Sequence, residues 1–277
     1  MRFSAEEKFK VREIKKKDVT AEEFFAYIAK MTSAEDRRGG VLLVGGVSPR
    51  DLAIRHAQAG LRLDNLPSYW SHAALILDWK DGARLENIIG AEVALDPFDP
   101  DKQVPERNGV TLFRLVRYAD RERYPNLAFG TICNAERKEV KDEIERAALN
   151  PNRDRLRYRF WEWLGVWASY TFAPTTSENP IANDIPLPGA AFCEYAYEVA
   201  GLDLTPGATA PNACPELLWS TLLYWHHRIG AQVGKIEAWK VVRSKEAPTR
   251  TPLLISLEAD FRDAGRKPPA AQRKRSK

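Results

Sequence analysis

Four consecutive apolar residues, Val41-Leu42-Leu43-Val44, stand between the glycine pairs Gly39-Gly40 and Gly45-Gly46. A run this short and this apolar, closed on both sides by chain-breaking residues, reads as a fully apolar strand. Its surroundings set the fold class. A helix is expected over 18–38, where Thr20 precedes Glu22 and Glu23 and where Phe24, Phe25, Ile28 and Met31 recur at helical spacing. Another follows Ser48-Pro49 and ends at Gly60. Residues 71–77 read as a second strand, Asp81-Gly82 as a hairpin turn, and 84–89 as the returning third strand. Further strands are expected at 109–116 and 236–242. Helices are expected over 135–148, over a Trp-rich stretch at 158–170, from near Phe192 to Gly201, and over 215–229. Residues 173–189 hold four prolines and read as an extended excursion. This mixture lacks a regular βαβ alternation, so the expected class is α+β, with a small, mainly antiparallel sheet packed against helices.

Length and composition narrow the class further. A chain of 277 residues with 44% hydrophobic and 29% charged residues can bury a large core, and it is neither disordered, collagenous nor a coiled coil. The net charge of +4 is local. Residues 262–277 carry seven Lys and Arg against Asp263, a net +6 that leaves −2 for the other 261 residues. The basic character therefore belongs to a Pro- and Ala-containing tail, expected to be disordered, and no specific nucleic-acid partner is implied. A peripheral contact of this tail with a membrane surface stays open. No apolar run reaches the roughly 20 residues of a transmembrane helix. The charged N-terminus lacks the apolar stretch of a secretory signal. The expectation is a chain made in the cytoplasm, with signal-independent export left open.

Cys133, Cys193 and Cys214 are spaced by 60 and 21 residues. That matches no paired zinc pattern, and an odd count is no disulfide framework. No metal and no cofactor is expected; a phosphate-cradling Gly-rich loop is absent from the sequence. Cys193 differs from the other two. It follows Gly189-Ala190-Ala191-Phe192 and opens a helical stretch, a position where unpaired backbone N–H groups and the helix dipole favour a thiolate. His72 stands at the start of the strand 71–77, where an imidazole beside a cleft can serve a thiol as base. The adjacent His226 and His227 point about 100° apart on a helix and make no metal pair. His56 has no evident partner. Cys133 and Cys214 read as structural, and the stripe Phe160, Trp161, Trp163, Leu164, Trp167 as a buried helix face or the lining of an apolar cleft.

The order of these elements is similar to a known family. Gly40-Val41-Leu42-Leu43-Val44-Gly45-Gly46 followed by Trp70-Ser71-His72-Ala73-Ala74-Leu75-Ile76-Leu77 resembles the opening of the permuted NlpC/P60 (papain-like) superfamily, in which the histidine strand precedes the cysteine helix. Ala191-Phe192-Cys193-Glu194-Tyr195, continuing through Val199-Ala200-Gly201-Leu202 to Thr205-Pro206 and Cys214-Pro215-Glu216-Leu217, resembles its cysteine helix and the Pro-containing segment after it. The likeness is greatest to YiiX/YaeF-like permuted amidases; lecithin:retinol acyltransferase-type enzymes are more distant. It covers roughly 39–100 and 155–220. Gly40-Val41 departs from the Gly-Asp of many members, and the segment 97–190 is unusually long. The resemblance implies a circularly permuted papain-like domain over 39–261 after an N-terminal helical extension at 1–38, with an insertion at about 97–190. It also implies a cysteine hydrolase or acyltransferase with Cys193 as nucleophile and His72 as base. The substrate would be a peptide-type amide, such as a cell-wall peptide, or a lipid acyl group. A catalytically inactive binding protein on this fold is the competing reading.

Two carboxylates compete to orient His72. The family pattern puts the role on Glu86. Ladder geometry disagrees: a two-residue turn at Asp81-Gly82 sets Glu86 opposite Leu77, His72 opposite Ala91, and Glu92 opposite Ser71. Glu86 is the expected orienter on the family pattern, and Glu92 the alternative.

Overall fold

The computed structural model describes residues 12–13, 20–63, 65–93, 110–131, 138–149, 160–172, 189–231 and 254–257. They form an α+β protein. The strands are β1 (Arg12–Glu13), β2 (Val41–Gly45), β3 (His72–Asp78), β4 (Ile89–Glu92), β5 (Thr111–Arg114), β6 (Asn126–Gly130) and β7 (Leu254–Leu257). They join one sheet in the order β1-β7-β6-β2-β3-β4-β5, antiparallel at every pairing except β1 with β7.

The glycine-bounded apolar run lies at the centre of this sheet as β2, and both its faces are covered. Val41 and Leu43 face a layer made by α4 (Lys138–Ala148), α6 (Gly189–Val199) and α7 (Pro215–Ala231), with Ile144, Ala147, Phe192, Ala196 and Leu218 in contact. Leu42 and Val44 face the opposite layer, where α1 (Ala21–Met31) contributes Phe24, Phe25 and Ile28. A strand buried on both faces has no position for a polar side chain, which is why the run is apolar without alternation. α1 starts at a capping box between Thr20 and Glu23. The helix expected as an N-terminal extension thus covers one face of the sheet. α2 (Ala34–Arg37) and α3 (Pro49–Ala57) open on the same device, Ser33 with Asp36 and Ser48 with Asp51. α5 (Phe160–Phe172) joins α3 and the start of α7 in a smaller cluster of Ile54, Val166, Tyr170 and Cys214.

Three expectations change. Residues 84–89 do not form a strand: Leu85–Asn87 is a short 3-10 turn, and the returning strand is β4. The connection is wider than a two-residue hairpin because it is anchored from outside. Buried Arg37 donates to the Trp79 carbonyl from Nε at 3.3 Å and Nη2 at 3.2 Å, and Nη2 pairs with Asp81. The register becomes Leu75↔Ala91, Ile76↔Gly90 and Asp78↔Ile89, with an irregularity between Ile76 and Asp78. Secondly, the long segment 97–190 supplies β5 and β6 to the same sheet, β6 lying between β2 and β7. Thirdly, β1, β6 and β7 have no counterpart among the expected strands. The strand expected at 236–242, the prolines of 173–188, Cys133 and the basic tail lie outside the described residues. Among the described residues no helix is long and apolar enough to cross a membrane.

Candidate active site

Glu92 is one of several polar residues that the fold buries completely. It ends β4 and has no exposure to solvent. Continuing the observed register by one residue sets Glu92 opposite Ala74, so it shares a sheet face with Ala74 and His72 and meets His72 diagonally. His72 Nε2 lies 2.9 Å from Glu92 Oε2. The Tyr118 hydroxyl donates to the same Oε2, and Arg117 Nη1 donates to Oε1 at 2.6 Å. Burial alone would raise this carboxyl. The hydrogen bond and charge of His72, the charge of Arg117 and the Tyr118 hydroxyl outweigh it and hold the carboxyl below its ordinary range. Glu92 is therefore an ionised acceptor, and the network assigns the proton between it and the ring to Nε2.

Glu86 is not brought to this pair. It lies exposed on the Leu85–Asn87 turn, and its backbone carbonyl accepts from Arg114 at 2.7 Å. The carboxylate that touches His72 is Glu92. The family pattern points to Glu86, and the two-residue-turn ladder points to Glu92 from a register three residues away from the observed one.

The other edge of the imidazole rests on α6. A Cβ built on Gly189, the first residue of α6, would lie 2.5 Å from His72 Cε1 and 2.6 Å from Nδ1, and would also strike the Ala73 carbonyl. Gly189 is small because the ring occupies the space a side chain would need. Among the described residues the Glu92 contact is the one hydrogen bond of the ring, and Nδ1 faces the first turn of α6. Cys193 follows Gly189 by four residues, on the same side of the helix, and helical side chains lean towards the N-terminus. His72 thus sits against the first turn of α6, one turn before Cys193. Gly189→Ala is expected to cost about 1–3 kcal/mol of stability through overpacking, and to slow any turnover by about 10²-fold through displacement of the ring. Thermal unfolding and kcat/KM check this; an unchanged rate would show that the ring does not need its seat on α6.

Cys193 departs from the expectation of a thiol at the helix start. α6 begins at Gly189 rather than near Phe192, so Cys193 is its fifth residue and its amide belongs to the helical ladder. The N–H groups without a partner inside the helix belong to the first turn before it. The thiol is completely buried, between Phe192, Ala196 and the sheet layer. Burial pushes it well above its usual value, and the charges of Glu194 and Glu92 add to that. Glu194 is itself pushed up to about 7, chiefly by burial, although Thr205 and the Leu204 amide donate to it at 2.9 and 3.2 Å. The resting thiol is neutral rather than a pre-formed thiolate.

The remaining candidates lie elsewhere. Cys214 is buried in the α3–α5–α7 cluster, and burial pushes it up to about 12. His56 is exposed on α3. Trp167 is half-buried against that same cluster, whereas the side chains of Phe160, Trp161, Trp163, His226 and His227 lie outside the described residues. Among the described residues no group of His, Cys, Asp and Glu could hold a metal ion. Tyr118 and Arg117 were not foreseen. They lie 26 and 25 residues from Glu92, and only the pairing of β4 with β5 brings their turn to it. No protein-family model matches the chain, and no curated protein matches it.

Proposed function

We propose that the protein is a cysteine-dependent hydrolase or acyltransferase on a permuted papain-like (NlpC/P60) fold, acting on an acyl group carried by an amide or ester. The observation that carries this reading is the imidazole of His72, bound through Nε2 to a buried, ionised Glu92 and turned through Nδ1 to the first turn of α6, one turn before Cys193. Because the thiol is neutral at rest, Nδ1 takes its proton as Sγ attacks the acyl carbon, a general-base step rather than attack by a standing thiolate. Unpaired N–H groups of the first turn of α6 receive the oxyanion. Collapse expels the amine or alcohol, which takes the proton from Nδ1 and leaves an acyl-thioester on Cys193. Water or a second nucleophile, deprotonated by Nδ1, then attacks the thioester and returns Sγ to the thiol. Peptide-type amides, including cell-wall peptides, are the leading substrate class, with lipid acyl groups the alternative.

The complete burial of Cys193 favours a second reading, a binding protein on the same fold. Intact-mass measurement with an activated acyl ester separates the two. The enzyme gains one acyl adduct, lost in Cys193→Ala. Iodoacetamide adds a pH test. Only the thiolate alkylates, so a raised thiol should react more slowly at pH 7 than free cysteine and accelerate as pH rises. Absence of an adduct, together with Cys193 alkylating no faster than Cys214 at every pH, would establish the binding protein.

A further inference from the structure

We propose that Tyr118 and Arg117 are positioning residues that keep Glu92 the ionised acceptor of the His72 Nε2 proton, and thereby keep the Nδ1 lone pair turned to α6. Its consequence for turnover rests on the cysteine-hydrolase reading; the state of the imidazole can be read without it.

A carboxyl removed from water is neutral unless donors compensate it. A neutral Glu92 would itself donate, and a ring accepting that proton at Nε2 would carry its own proton on Nδ1, the wrong tautomer for a base. The structure supplies three donors, divided between the two oxygens: Tyr118 and His72 on Oε2, Arg117 on Oε1. The direction of the Tyr118 bond is fixed. Its hydroxyl is buried beside a negative charge, which together push it well above its ordinary value, so it keeps its proton and donates it to a carboxylate that can only accept. Its ring is held edge-on by Phe113 at 5.3 Å and Tyr124 at 4.9 Å, and lies 6.4 Å from the His72 ring. Arg117 is 38% exposed and carries a charge from the surface to the buried carboxylate, its guanidinium 6.0 Å above the Tyr118 ring. Both residues belong to the 3-10 turn Leu115–Tyr118, which follows β5 directly. Glu92 pairs with Thr111 at the far end of that strand, and the two side chains of the turn reach back along it to the carboxylate. The other titratable groups facing Glu92 are Tyr124 from the next loop and Cys193 from α6, both neutral.

The sign of the effect follows. Losing a donor or the Arg117 charge leaves Glu92 less compensated, so the His72–Glu92 pair takes up its proton at higher pH. Long-range nitrogen NMR of the histidine-labelled full chain, with the His72 signals assigned through His72→Asn, reads both tautomer and titration. The unsubstituted chain should show an Nε2–H ring. Tyr118→Phe, which retains the ring packing, and Arg117→Gln should each move the titration up by about one pH unit, the scale of one charge-assisted hydrogen bond. Arg117→Lys should restore part of the Arg117→Gln shift. The acid limb of kcat/KM should move with the NMR midpoint. An Nδ1–H ring in the unsubstituted chain, or unmoved titrations with only a lower melting temperature, would overturn the proposal. Arg117 is partly exposed, so its variants decide the matter even if Tyr118→Phe unfolds. Absence of turnover in every variant would reject the hydrolase reading, and the NMR result would still decide this one.

Discussion

Cys193→Ala is expected to lower kcat/KM by at least ~10³-fold, the scale seen when a covalent nucleophile is removed and only binding and electrostatic assistance remain. Without Sγ no acyl-thioester can form, and no other described thiol or imidazole lies at this end of α6. The fold should survive. The substitution removes one buried atom from a packed layer of small and aromatic side chains, a loss of about 1 kcal/mol and thus a few degrees of melting temperature for a chain of this size. Single-turnover kinetics and thermal unfolding on the same preparations test both statements. An alanine variant that still turns over would remove Cys193 from the chemistry.

Glu92→Gln is expected to slow turnover by about 10²–10⁴-fold, in the range that follows when an imidazole loses the anion that sets its tautomer. The amide can present its NH2 to Nε2, which turns the proton onto Nδ1 and removes the lone pair from α6. It also leaves the Arg117 charge without its buried partner, so the melting temperature should fall too. Glu86→Gln should change the rate by less than about 2-fold, as expected of an exposed side chain remote from the ring. This ranking reverses the one that family resemblance suggests. Equal losses in the two variants, measured per folded molecule, would return the orienting role to Glu86.

Much of the architecture could be read from local patterns. β2 was legible because a strand covered on both faces must be apolar throughout. α1 and α3 were legible because their start residues and amphipathic spacing are short-range signals. β6 was not, since Asn126-Leu127-Ala128-Phe129-Gly130 has no strong strand signature and owes its place to pairing with β2 and β7. The start of α6 was placed three residues late, because glycine and alanines before Phe192 look like a loop. They are small where a helix end packs tightly against His72 and the sheet.

The site divides in the same way. Residue types and local context mark His72 and Cys193 as the candidate pair, since an imidazole opening an apolar strand and a thiol following small residues are both visible along the chain. Which carboxylate meets the imidazole was decided by strand register, and register here depends on Arg37 gripping the β3–β4 connection from another element. Whether the thiol is charged was decided by burial, which comes from α6 lying against the sheet. Arg117 and Tyr118 became partners of Glu92 only through the β4–β5 pairing. A sequence records which groups are available; distance, solvent access and the competing charges that set a proton's position arise when separate elements are packed together.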